Sequence, residues 1–588
     1  MLLGLQETLQ REISRLGYEH SEFLRWFTSI GRLLIPLISV FIVSRIAYSL
    51  FRGKKSPEVW GYLNLSNGLH IPINHWENLI GRAKNCDIVI NFPTISRNHA
   101  LLMRQEDEGW LLIDLDSKTG SSVEGKSIKD RTIVNYGDII SFGGVKTQLV
   151  GLTLDEKQIQ ENREVPGKEV NPALTMYLLT VLNILLMTQI CLANPSNFSL
   201  LLPTAYLVVI IVIWLYYILI KLLNRSGFEI EQIAFFLSTI GISVVTGTLS
   251  NGGNQTVVTK TLLAFVLGLI LFLILGWFLR DLKRADSIRW PMAVAALLLL
   301  LISIVAGRVV NGAQNWVFIG GFSIQPSEFA KLCFIYAGTA TLDRLFAKRN
   351  LIMYMILTVC IASALAYTSD FGAAILFFVA FIYVAFMRSG DIATISLISL
   401  GAVMGGLLLL KFKPYIAYRF ESWRHAWEVP HDGGYQQART MSATASGGLF
   451  GVGTGKGWLR NISAADTDLV FGVVAEELGL IVGICCIISI LMLLLFSYYS
   501  ATHSRSTFYI ISACTAMSML VFQMLLNVLG SLDIIPLTGV TFPFISNGGS
   551  SLLVCYGMLA FVKAADTRRL SSFATRIELF HIPRRRDV

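Results

Sequence analysis

Long apolar stretches separated by short polar ones fill most of the chain, and each is long enough to cross a bilayer as a helix. The first, at 29–51, is followed by basic residues rather than by a small-residue cleavage site, which favours a true membrane span. Beyond residue 172 the stretches lie at about 174–194, 200–221, 231–250, 260–279, 290–309, 327–345, 351–368, 371–387, 391–410, 470–498, 507–530 and 548–564. The pattern predicts a polytopic α-helical membrane protein with about thirteen spans.

A polar segment at 57–153 interrupts this pattern. Its short runs, such as DIVI, WLLIDL and DIISF, alternate apolar and polar residues and are broken by Gly, Asn or Asp, as in the strands of a small all-β sandwich. The other predicted divisions are an external segment at 1–28, a charged linker at 154–172, an extra transmembrane hairpin at 173–222, a body of ten spans at 229–566 with a large loop at 411–468, and a basic tail at 567–588.

Composition agrees with this division and excludes two classes of protein. Of the 588 residues, 54% are hydrophobic and 15% are charged, which excludes a soluble enzyme. The net charge of +9 lies in short loops and in the tail, so no nucleic-acid partner is expected. Placing the β segment in the cytoplasm makes nearly every short basic loop cytoplasmic too. The charge bias therefore predicts a cytoplasmic β domain and tail, with Asp370 on the outer side of the membrane.

Asp370 is the one charged side chain between Arg349 and Arg388. An ionisable group at the edge of a span costs a few kcal/mol to place there, so it commonly marks a functional site. The alternative is structural, because aspartate is a favoured N-cap and an apolar helix follows. Its position favours the functional interpretation.

Other polar motifs fall on the same predicted side. Glu328 and Lys331 are three residues apart on one helical face and are able to form an ion pair. Glu476 and Glu477 begin an apolar helix, which is costly unless one of them faces a polar cavity. The segment 534–553 contains two prolines and three glycines, and non-helical backbone at membrane depth is tolerated where it lines a cavity. These motifs together predict an acidic groove that opens outward.

The large loop is basic, although the other predicted outer loops are not. Its basic side chains include Lys413, Arg419, Arg439 and Lys456. The sequence SGGLFGVGTGKG lies in the same loop at 446–457, and backbone N–H groups of glycine-rich turns form phosphate-sized concavities. Composition alone leaves an anion-binding loop and a flexible solvated loop equally open.

The motifs PSEFAK, SDFGAA, TDLVFGVVAEELGL and PLTGVTFPFISNGGSSLL follow one another along the chain. In residues and in order they strongly resemble the shape–elongation–division–sporulation (SEDS) family of FtsW, RodA and SpoVE, over about residues 230–566. The resemblance implies a peptidoglycan glycosyltransferase that polymerises lipid II on the outer face of the bacterial cytoplasmic membrane, with a class B penicillin-binding transpeptidase as partner. The family's essential aspartate falls on Asp370, and its Glu/Lys pair falls on Glu328 and Lys331.

This resemblance implies roles for the remaining residues. Asp370 is the candidate base that deprotonates the acceptor sugar hydroxyl. Candidates for holding the departing diphosphate are Arg439, Lys456, Lys413 and Arg419, with Mg²⁺ or Mn²⁺ as a candidate cofactor whose protein ligands stay unassigned. Residues expected to support the cavity are Glu328, Lys331, Glu476, Glu477, Ser546 and Ser550. Departures from the family pattern occur at Thr368, Ser369, Ala373 and Asn547.

Two rival interpretations accompany the enzyme. A lipid II flippase also suits acidic residues in a cavity and discontinuous helices. A transporter should distribute its functional polar residues to both faces, whereas here they cluster on one, which favours chemistry. The second rival is a membrane scaffold regulated by phosphopeptide binding.

The β segment carries marks of its own: Gly81-Arg82, then Ser96-Arg97-Asn98-His99, then DLDSKTGSSVEG at 114–125. These resemble the forkhead-associated (FHA) domain, a β sandwich that binds phosphothreonine peptides. The resemblance implies that Arg82 and Ser96 bind the phosphate with help from Arg97, while His99 braces the loop. Thr119 replaces the asparagine that usually contacts the peptide backbone, so a docking module without phosphopeptide affinity is the alternative.

Overall fold

The computed structural model describes residue 10 and residues 21–573, apart from 53–58, 67, 85, 105–108, 129–130, 157–158, 160–169, 281–282, 311, 341–347, 390–391, 413, 502–505, 567 and 569–570. Most of the predicted external segment and most of the basic tail therefore lie outside the described residues, while residues 21–28 of that segment are helical. Within them the chain forms a β sandwich and a bundle of apolar helices.

Short alternating runs build the sandwich from two sheets. Its strands are β1 Gly61–Leu65, β2 His70–Ile73, β3 Glu77–Gly81, β4 Ile88–Val89, β5 Ala100–Arg104, β6 Trp110–Asp114, β7 Ser121–Val123, β8 Lys126–Ser127, β9 Arg131–Val134, β10 Ile139–Phe142 and β11 Val145–Val150. One sheet has the order β2-β1-β11-β10-β7-β8, and the other β4-β3-β5-β6-β9. Alternate residues point inward and form a core around Trp110 and Phe142.

The apolar stretches form the helices of the bundle. Their bounds are α1 Ser21–Arg52, α2 Pro172–Ala193, α3 Leu201–Leu222, α4 Glu229–Ser250, α5 Gln255–Phe278, α6 Lys283–Ala306, α7 Pro326–Thr339, α8 Lys348–Tyr367, α9 Phe371–Ser389, α10 Ile392–Phe412, α11 Pro414–Ser422, α12 Tyr435–Gly447, α13 Val470–Glu477, α14 Leu480–Ala501, α15 Thr507–Ser531 and α16 Gly549–Ala565. Within the described residues, eight helices are long and apolar enough to cross a membrane, and four shorter apolar ones accompany them. The count of thirteen spans stays a prediction.

Two helices form the centre of the bundle. The apolar windows of α4 and α15 are 94% and 83% buried, whereas the other long helices expose more of their surface. α16 packs along α5, and α14 and α16 flank α15. The N-terminal helix α1 packs against α2, α4 and α14, so the helices outside the predicted ten-span body are joined to it.

Two segments differ from the expectation. The apolar stretch at 470–498 is two helices, α13 and α14, because Gly479 adopts a φ of +94° and ends the first. A Cβ at Gly479 would lie 2.2 Å from Leu449 O, so the glycine-rich loop fits against the break. The expected loop before α7 is instead a three-stranded sheet of β12 Arg308–Val310, β13 Ala313–Ile319 and β14 Phe322–Ile324.

The β sandwich contacts the bundle at the start of α15. Glu77 of β3 is 4% exposed and accepts hydrogen bonds from Ser506 Oγ at 2.6 Å and Thr507 N at 3.3 Å. Ser506 is the N-cap of α15, so the carboxyl meets the helix end that favours negative charge. Trp76 and Met103 pack against the hydrophobic core of the bundle beside it. We call this contact the junction.

Protonation of Glu77 should favour the junction. Burial raises the pKa of its carboxyl from an ordinary 4.5 to about 7. Because the pKa is higher in the docked state, Glu77 contributes its full stabilisation of the junction below pH 4.5. This stabilisation is lost as the pH rises through about 7. The pKa shift of Glu77 corresponds to a stabilisation of the docked state of about 3 kcal/mol. We expect the thermal unfolding midpoint of the full chain to fall between pH 5 and 8 more steeply than that of Glu77→Gln.

Glu428→Gln is the matched control, since its carboxyl is largely exposed. It should keep the pH dependence of the wild type. Parallel pH curves for the wild type and Glu77→Gln would contradict the prediction.

Candidate functional site

Asp370 lies at a tight connection between α8 and α9. Ser369 adopts a φ of +60°, and the bonds Asp370 N to Leu365 O (2.9 Å) and Ser369 N to Ala366 O (3.3 Å) form the Schellman ending of α8. A proline cannot adopt this positive φ, so the family's Gln-Pro could not take the backbone path seen here. Asp370 Oδ1 then accepts from Ala373 N at 3.2 Å and caps α9.

Two amide side chains hold the other oxygen of Asp370. Asn315 Nδ2 on β13 donates to Asp370 Oδ2 at 2.9 Å, and Gln325 Nε2 donates to the same atom at 3.1 Å. Gln325 is fixed in turn, because its backbone N donates to Ser550 Oγ at 3.2 Å. Asn315 Oδ1 is buried with no hydrogen-bond partner among the described residues. The carboxylate is therefore an oriented group as well as a cap, and β13, unpredicted from sequence, supplies one donor.

A second carboxylate, Asp468, belongs to the same region. Burial raises its pKa to about 6; the cation of Arg419 opposes the rise, and the charges of Asp466 and Asp370 add to it. Arg419 on α11 also donates to Leu537 O at 2.8 Å. Sequence reasoning missed Asp468, although it stands in the quoted motif TDLVFG immediately before an apolar stretch, the same signal that singled out Asp370.

Asp468 is held by residues from two other segments. Asn527 of α15 donates to Asp468 O at 3.0 Å and to Val540 O at 2.8 Å. Ser546 Oγ donates to Thr467 O at 2.6 Å and accepts from Phe542 N. The segments 464–469 and 537–547 are thus joined by side chains, and Ser546 is placed as a support rather than toward a ligand.

Asn547, a departure from the family pattern, has its own pairing. Its Nδ2 donates to Asp466 Oδ2 at 2.7 Å, and its backbone N donates to Asp466 O at 2.8 Å. Thr261 Oγ1 of α5 contacts Asn547 Oδ1 at 3.4 Å. The asparagine therefore connects the segment before α16 to the loop that carries Asp468.

Glu328 and Lys331 form a buried ion pair inside the bundle. Lys331 Nζ lies 2.7 Å from Glu328 Oε1, and the side chains of Lys331 and Glu328 are 1% and 8% exposed. Gln523 of α15 accepts from Lys331 Nζ at 3.3 Å and donates to Thr541 Oγ1 at 2.9 Å. The pair thereby connects α7 with α15 and with the segment before α16.

Glu476 and Glu477 bind the glycine-rich loop and the residues just after it rather than facing a polar cavity. Glu476 accepts from the backbone N of Trp458 and Leu459 at 2.9 and 3.1 Å. Glu477 accepts from the backbone N of residues 455 and 457, at 2.8 and 3.2 Å, and pairs with Arg460. Composition left a phosphate site at this loop open, but these N–H groups are taken by the chain's own carboxylates. The loop is therefore a braced structure and not an open anion cradle.

The basic candidates of the large loop are dispersed. Arg419 lies beside Asp468. Arg439 places its guanidinium 5.4 Å from the ring of Tyr435, one turn earlier in α12. Lys456 is exposed beside Arg32 of α1, and Lys413 lies outside the described residues. The structure therefore places Arg419 beside Asp468. Among the described residues, no hydrogen bond or ion pair joins Arg439 or Lys456 to Asp370 or Asp468.

In the part of the chain that the structure describes, no three His, Cys, Asp or Glu side chains are grouped to hold a metal ion. The residues present thus do not form a protein cage for Mg²⁺ or Mn²⁺. Mg²⁺ in enzymes is often held by one or two carboxylates together with substrate phosphates.

The loops at one end of the sandwich bring together the residues that are predicted to bind phosphothreonine. Arg82 follows β3 directly, and its backbone N donates to Ser96 O at 3.0 Å. The side chains of Arg82 and Arg97 are exposed, and Ser96 Oγ accepts from Lys118 N at 3.1 Å. Thr119 Oγ1 donates to Thr94 O at 2.8 Å, so its hydroxyl is used within the domain. The surface is basic and polar, as a phosphopeptide requires.

His99 is fully buried beneath these loops. Its Nδ1 accepts from Ser96 N at 3.1 Å, so the other nitrogen, Nε2, donates to Gly120 O at 3.3 Å. Burial lowers the pKa of the imidazole, which keeps it neutral near pH 7. The geometry is that of a loop brace, as expected for His99.

Fold and site together define an integral membrane helical bundle that carries a β sandwich and a set of buried and half-buried carboxylates. Residues 229–570 match the family model of the FtsW, RodA and SpoVE proteins, described as cell cycle protein, and residues 78–143 match the FHA domain. Because the first match covers more than half of the 588 residues, the chain belongs to the FtsW/RodA/SpoVE family. The predicted fold class, a membrane helix bundle with an FHA sandwich, is confirmed.

Relatives with known names agree with this membership. The chain is 29% identical over 360 residues to a probable peptidoglycan glycosyltransferase FtsW of Wigglesworthia glossinidia brevipalpis, covering 58% of this chain and 94% of that one. It is 29% identical over 318 residues to the peptidoglycan glycosyltransferase RodA of Mycobacterium bovis, covering 50% and 67%. A solved chain from a peptidoglycan synthase complex is 26% identical, with a TM-score of 0.47 and coverage of 56% and 95%.

Breaking the Glu328–Lys331 pair should destabilise the bundle. Lys331→Met leaves a buried carboxylate without its cation, and we expect a loss of roughly 3–5 kcal/mol. The double variant Glu328→Met/Lys331→Met should recover most of this loss, because an apolar pair of similar volume replaces both charges. The measurement is unfolding of the purified chain in mixed micelles. A loss of stability in the double variant equal to the sum of the losses in the two single variants would contradict the assignment of Glu328 and Lys331 as an ion pair.

Proposed function

We propose that this chain is a peptidoglycan glycosyltransferase that polymerises lipid II, with Asp370 as the base. One observation carries the proposal: residues in or next to three separated family motifs are linked by hydrogen bonds around the Asp370 carboxylate. Gln325, which precedes PSEFAK, donates to it, and Ser550 of the NGGSS segment accepts from the backbone of Gln325. A carboxylate oriented this strongly suits a reaction in which one proton must be removed at a defined position.

The proposed reaction joins two lipid-linked sugars. The acceptor hydroxyl gives its proton to Asp370, and its oxygen forms a bond to the anomeric carbon of the donor sugar. The bond from that carbon to the donor's diphosphate breaks, and the undecaprenyl diphosphate leaves with the electron pair. Arg419 is the described cation best placed to meet the leaving group, since it lies beside Asp468. A divalent cation would arrive with the substrate diphosphate, and no step depends on a protein-held one.

Orientation and partners form part of the proposal. The charge bias of the loops supports an FHA domain on the cytoplasmic side and Asp370 on the outer side, where lipid II is polymerised. Membership of the FtsW/RodA/SpoVE family supports a class B penicillin-binding transpeptidase as partner, because such an enzyme crosslinks the glycan strands that the polymerase makes. The FHA domain would bind a phosphothreonine-containing protein and thereby recruit or position the polymerase.

Asp370→Asn should abolish polymerisation. Losing a general base costs at least about 100-fold in rate, while the asparagine keeps the shape of the cap. The assay is glycan-chain formation from lipid II by the purified chain in liposomes, alone and with a cognate class B transpeptidase. Asp432→Asn is the control and should remain active, because it replaces an exposed carboxyl that accepts a hydrogen bond from Tyr418. No chains from the wild type, together with faster lipid II movement across the bilayer, would support the flippase instead.

Arg82→Ala should weaken phosphothreonine-peptide binding by the full chain roughly 10- to 100-fold, because a hydrogen-bonded charge pair with phosphate is lost. Lys146→Ala removes the same charge from an exposed strand position and should bind as the wild type does. The measurement is a titration with labelled phosphothreonine and unphosphorylated peptides. Equal binding of both peptides by the wild type would make the domain a docking module.

A further inference from the structure

We propose that Arg32 of α1 and Lys456 of the glycine-rich loop bind the phosphate of an anionic phospholipid, and that an acyl chain of this lipid lies between α1 and α14. This binding site goes beyond the glycosyltransferase function and does not depend on it, because it uses none of the groups around Asp370. α1 precedes the residues that match the family model, 229–570, so one half of the site belongs to a part of the chain outside that match.

The two cationic side chains converge on Gly453 of the glycine-rich loop. A Cβ at Gly453 would lie 3.6 Å from Lys456 Cδ and 4.0 Å from Arg32 Cδ. Lys456 N donates to Gly453 O at 3.1 Å, which turns the loop and brings the lysine beside the arginine. Burial lowers the pKa of the Lys456 ammonium, and the nearby charge of Arg32 lowers it further. A phosphate accepts hydrogen bonds from several cationic donors at once, so it suits such a pair.

Contacts among three segments hold this arrangement in place. Thr454 Oγ1 donates to Gln189 Oε1 of α2 at 2.8 Å, which fixes the tip of the loop against that helix. Gln189 Nε2 in turn lies 3.5 Å from Thr28 O of α1. A Cβ at Gly31 would overlap Gln189 Nε2, so the glycine allows α1 to pass directly over this side chain. The backbones that carry the two cations are therefore fixed relative to each other.

Neither cation forms an ion pair with a carboxylate among the described residues. Arg32 Nε is buried and has no hydrogen-bond partner there, although buried N–H groups are normally paired. Glu476 and Glu477 contact the same loop, but they accept from its backbone N–H groups, and Glu477 pairs with Arg460. Two adjacent like charges, one of them with an unpaired buried donor, indicate a site for an anion that the chain itself does not supply.

An apolar groove of about 280 Å³ lies between α1 and α14. Its walls include Val40, Val43 and Ala47 of α1, and Ile484, Ile488 and Met492 of α14. Val43 follows Arg32 by eleven residues, which is about 16 Å along the helix and within about 20° of three full turns. The groove therefore lies beneath the cation pair on the same side of α1.

The positions of the two features along α1 favour a lipid over a free anion. The apolar span begins at Trp26 and ends at Arg52, so Arg32 lies within two turns of one end and the groove lies near the middle. Cations near the ends of membrane helices reach the headgroup region, and basic pockets between such helices bind anionic headgroups. A phospholipid would place its phosphate at the cations and its chain in the groove, whereas a free phosphate would use the cations alone.

The test is lipid binding to the full chain in detergent, measured by native mass spectrometry. The probes are phosphatidylglycerol and phosphatidylcholine with identical acyl chains, which differ in the net charge of the headgroup. We expect the wild type to bind phosphatidylglycerol roughly 25-fold more tightly, with about fivefold from each cation. Arg32→Gln and Lys456→Gln should each remove about fivefold of this preference, while Arg32→Lys and Lys456→Arg should keep most of it.

Two control variants separate charge from groove. Lys260→Gln removes a cation of α5 that donates to Gly321 O at 2.6 Å, and it should keep the lipid preference of the wild type. Ser44→Phe places a ring in the groove from an exposed position and should weaken the binding of both lipids roughly fivefold, without changing the preference between them. Leu37→Phe adds a ring to the exposed surface of α1 away from the groove lining and should bind both lipids as the wild type does.

The remaining probe is glycerol 3-phosphate, which carries the phosphate without acyl chains. It should not displace phosphatidylglycerol at equal concentration; equal displacement would assign the cations to a free phosphate and overturn the lipid site. The site would also be overturned by a preference for phosphatidylglycerol that persists in Arg32→Gln/Lys456→Gln or that is absent from the wild type, because the two cations would then be solvated without a ligand. None of these measurements requires glycan synthesis, so a failure of the lipid site and a failure of the proposed function are distinguishable.

Discussion

A charge below the surface of a membrane bundle must be matched by the protein, since no water is available to solvate it. This constraint organises the structure around the site. Lys331 and Glu328 neutralise each other and engage Gln523 of a central helix. Glu476 and Glu477 are matched by backbone N–H groups, which requires the glycine-rich loop to fold back over the break between α13 and α14. That loop carries the chain onward to Asp468, so the matching of two charges positions a third.

The sequence predicts the parts of the structure that depend on local pattern. Apolar stretches located the helices, alternation located the sandwich, and Asp370 stood out because it was alone in apolar surroundings. The break at Gly479 was not predicted, because the apolar stretch at 470–498 is long enough for a continuous span in spite of Glu476 and Glu477. Its cause is tertiary: Leu449 approaches too closely for any side chain. The pairing of β13 with its neighbours was missed for a similar reason, since its contacts with Asp370 and Thr368 are remote in sequence.

One helix relates the two ends of the molecule. α15 has 25 residues and is therefore about 37 Å long. Its first residues meet Glu77 at the junction, and its later residues Gln523 and Asn527 hold the buried ion pair and the Asp468 loop. Polar side chains occur along it where neighbouring segments need a donor or an acceptor. One of the two central helices of the bundle thus contacts both the FHA domain and the candidate active site.

The orientation of the sandwich separates its two contacts. Strand β3 begins at Glu77, in the junction, and ends beside Arg82, while β5 begins after the Ser96–His99 turn and ends near Met103, which packs on the bundle. The predicted peptide-binding loops and the junction therefore lie at opposite ends of the same strands and do not share surface. Deleting the domain would uncover an apolar patch and leave the start of α15 without its carboxyl. Genetic removal of the domain is for this reason a harsher perturbation than the absence of its ligand, and the two should not be expected to give the same phenotype.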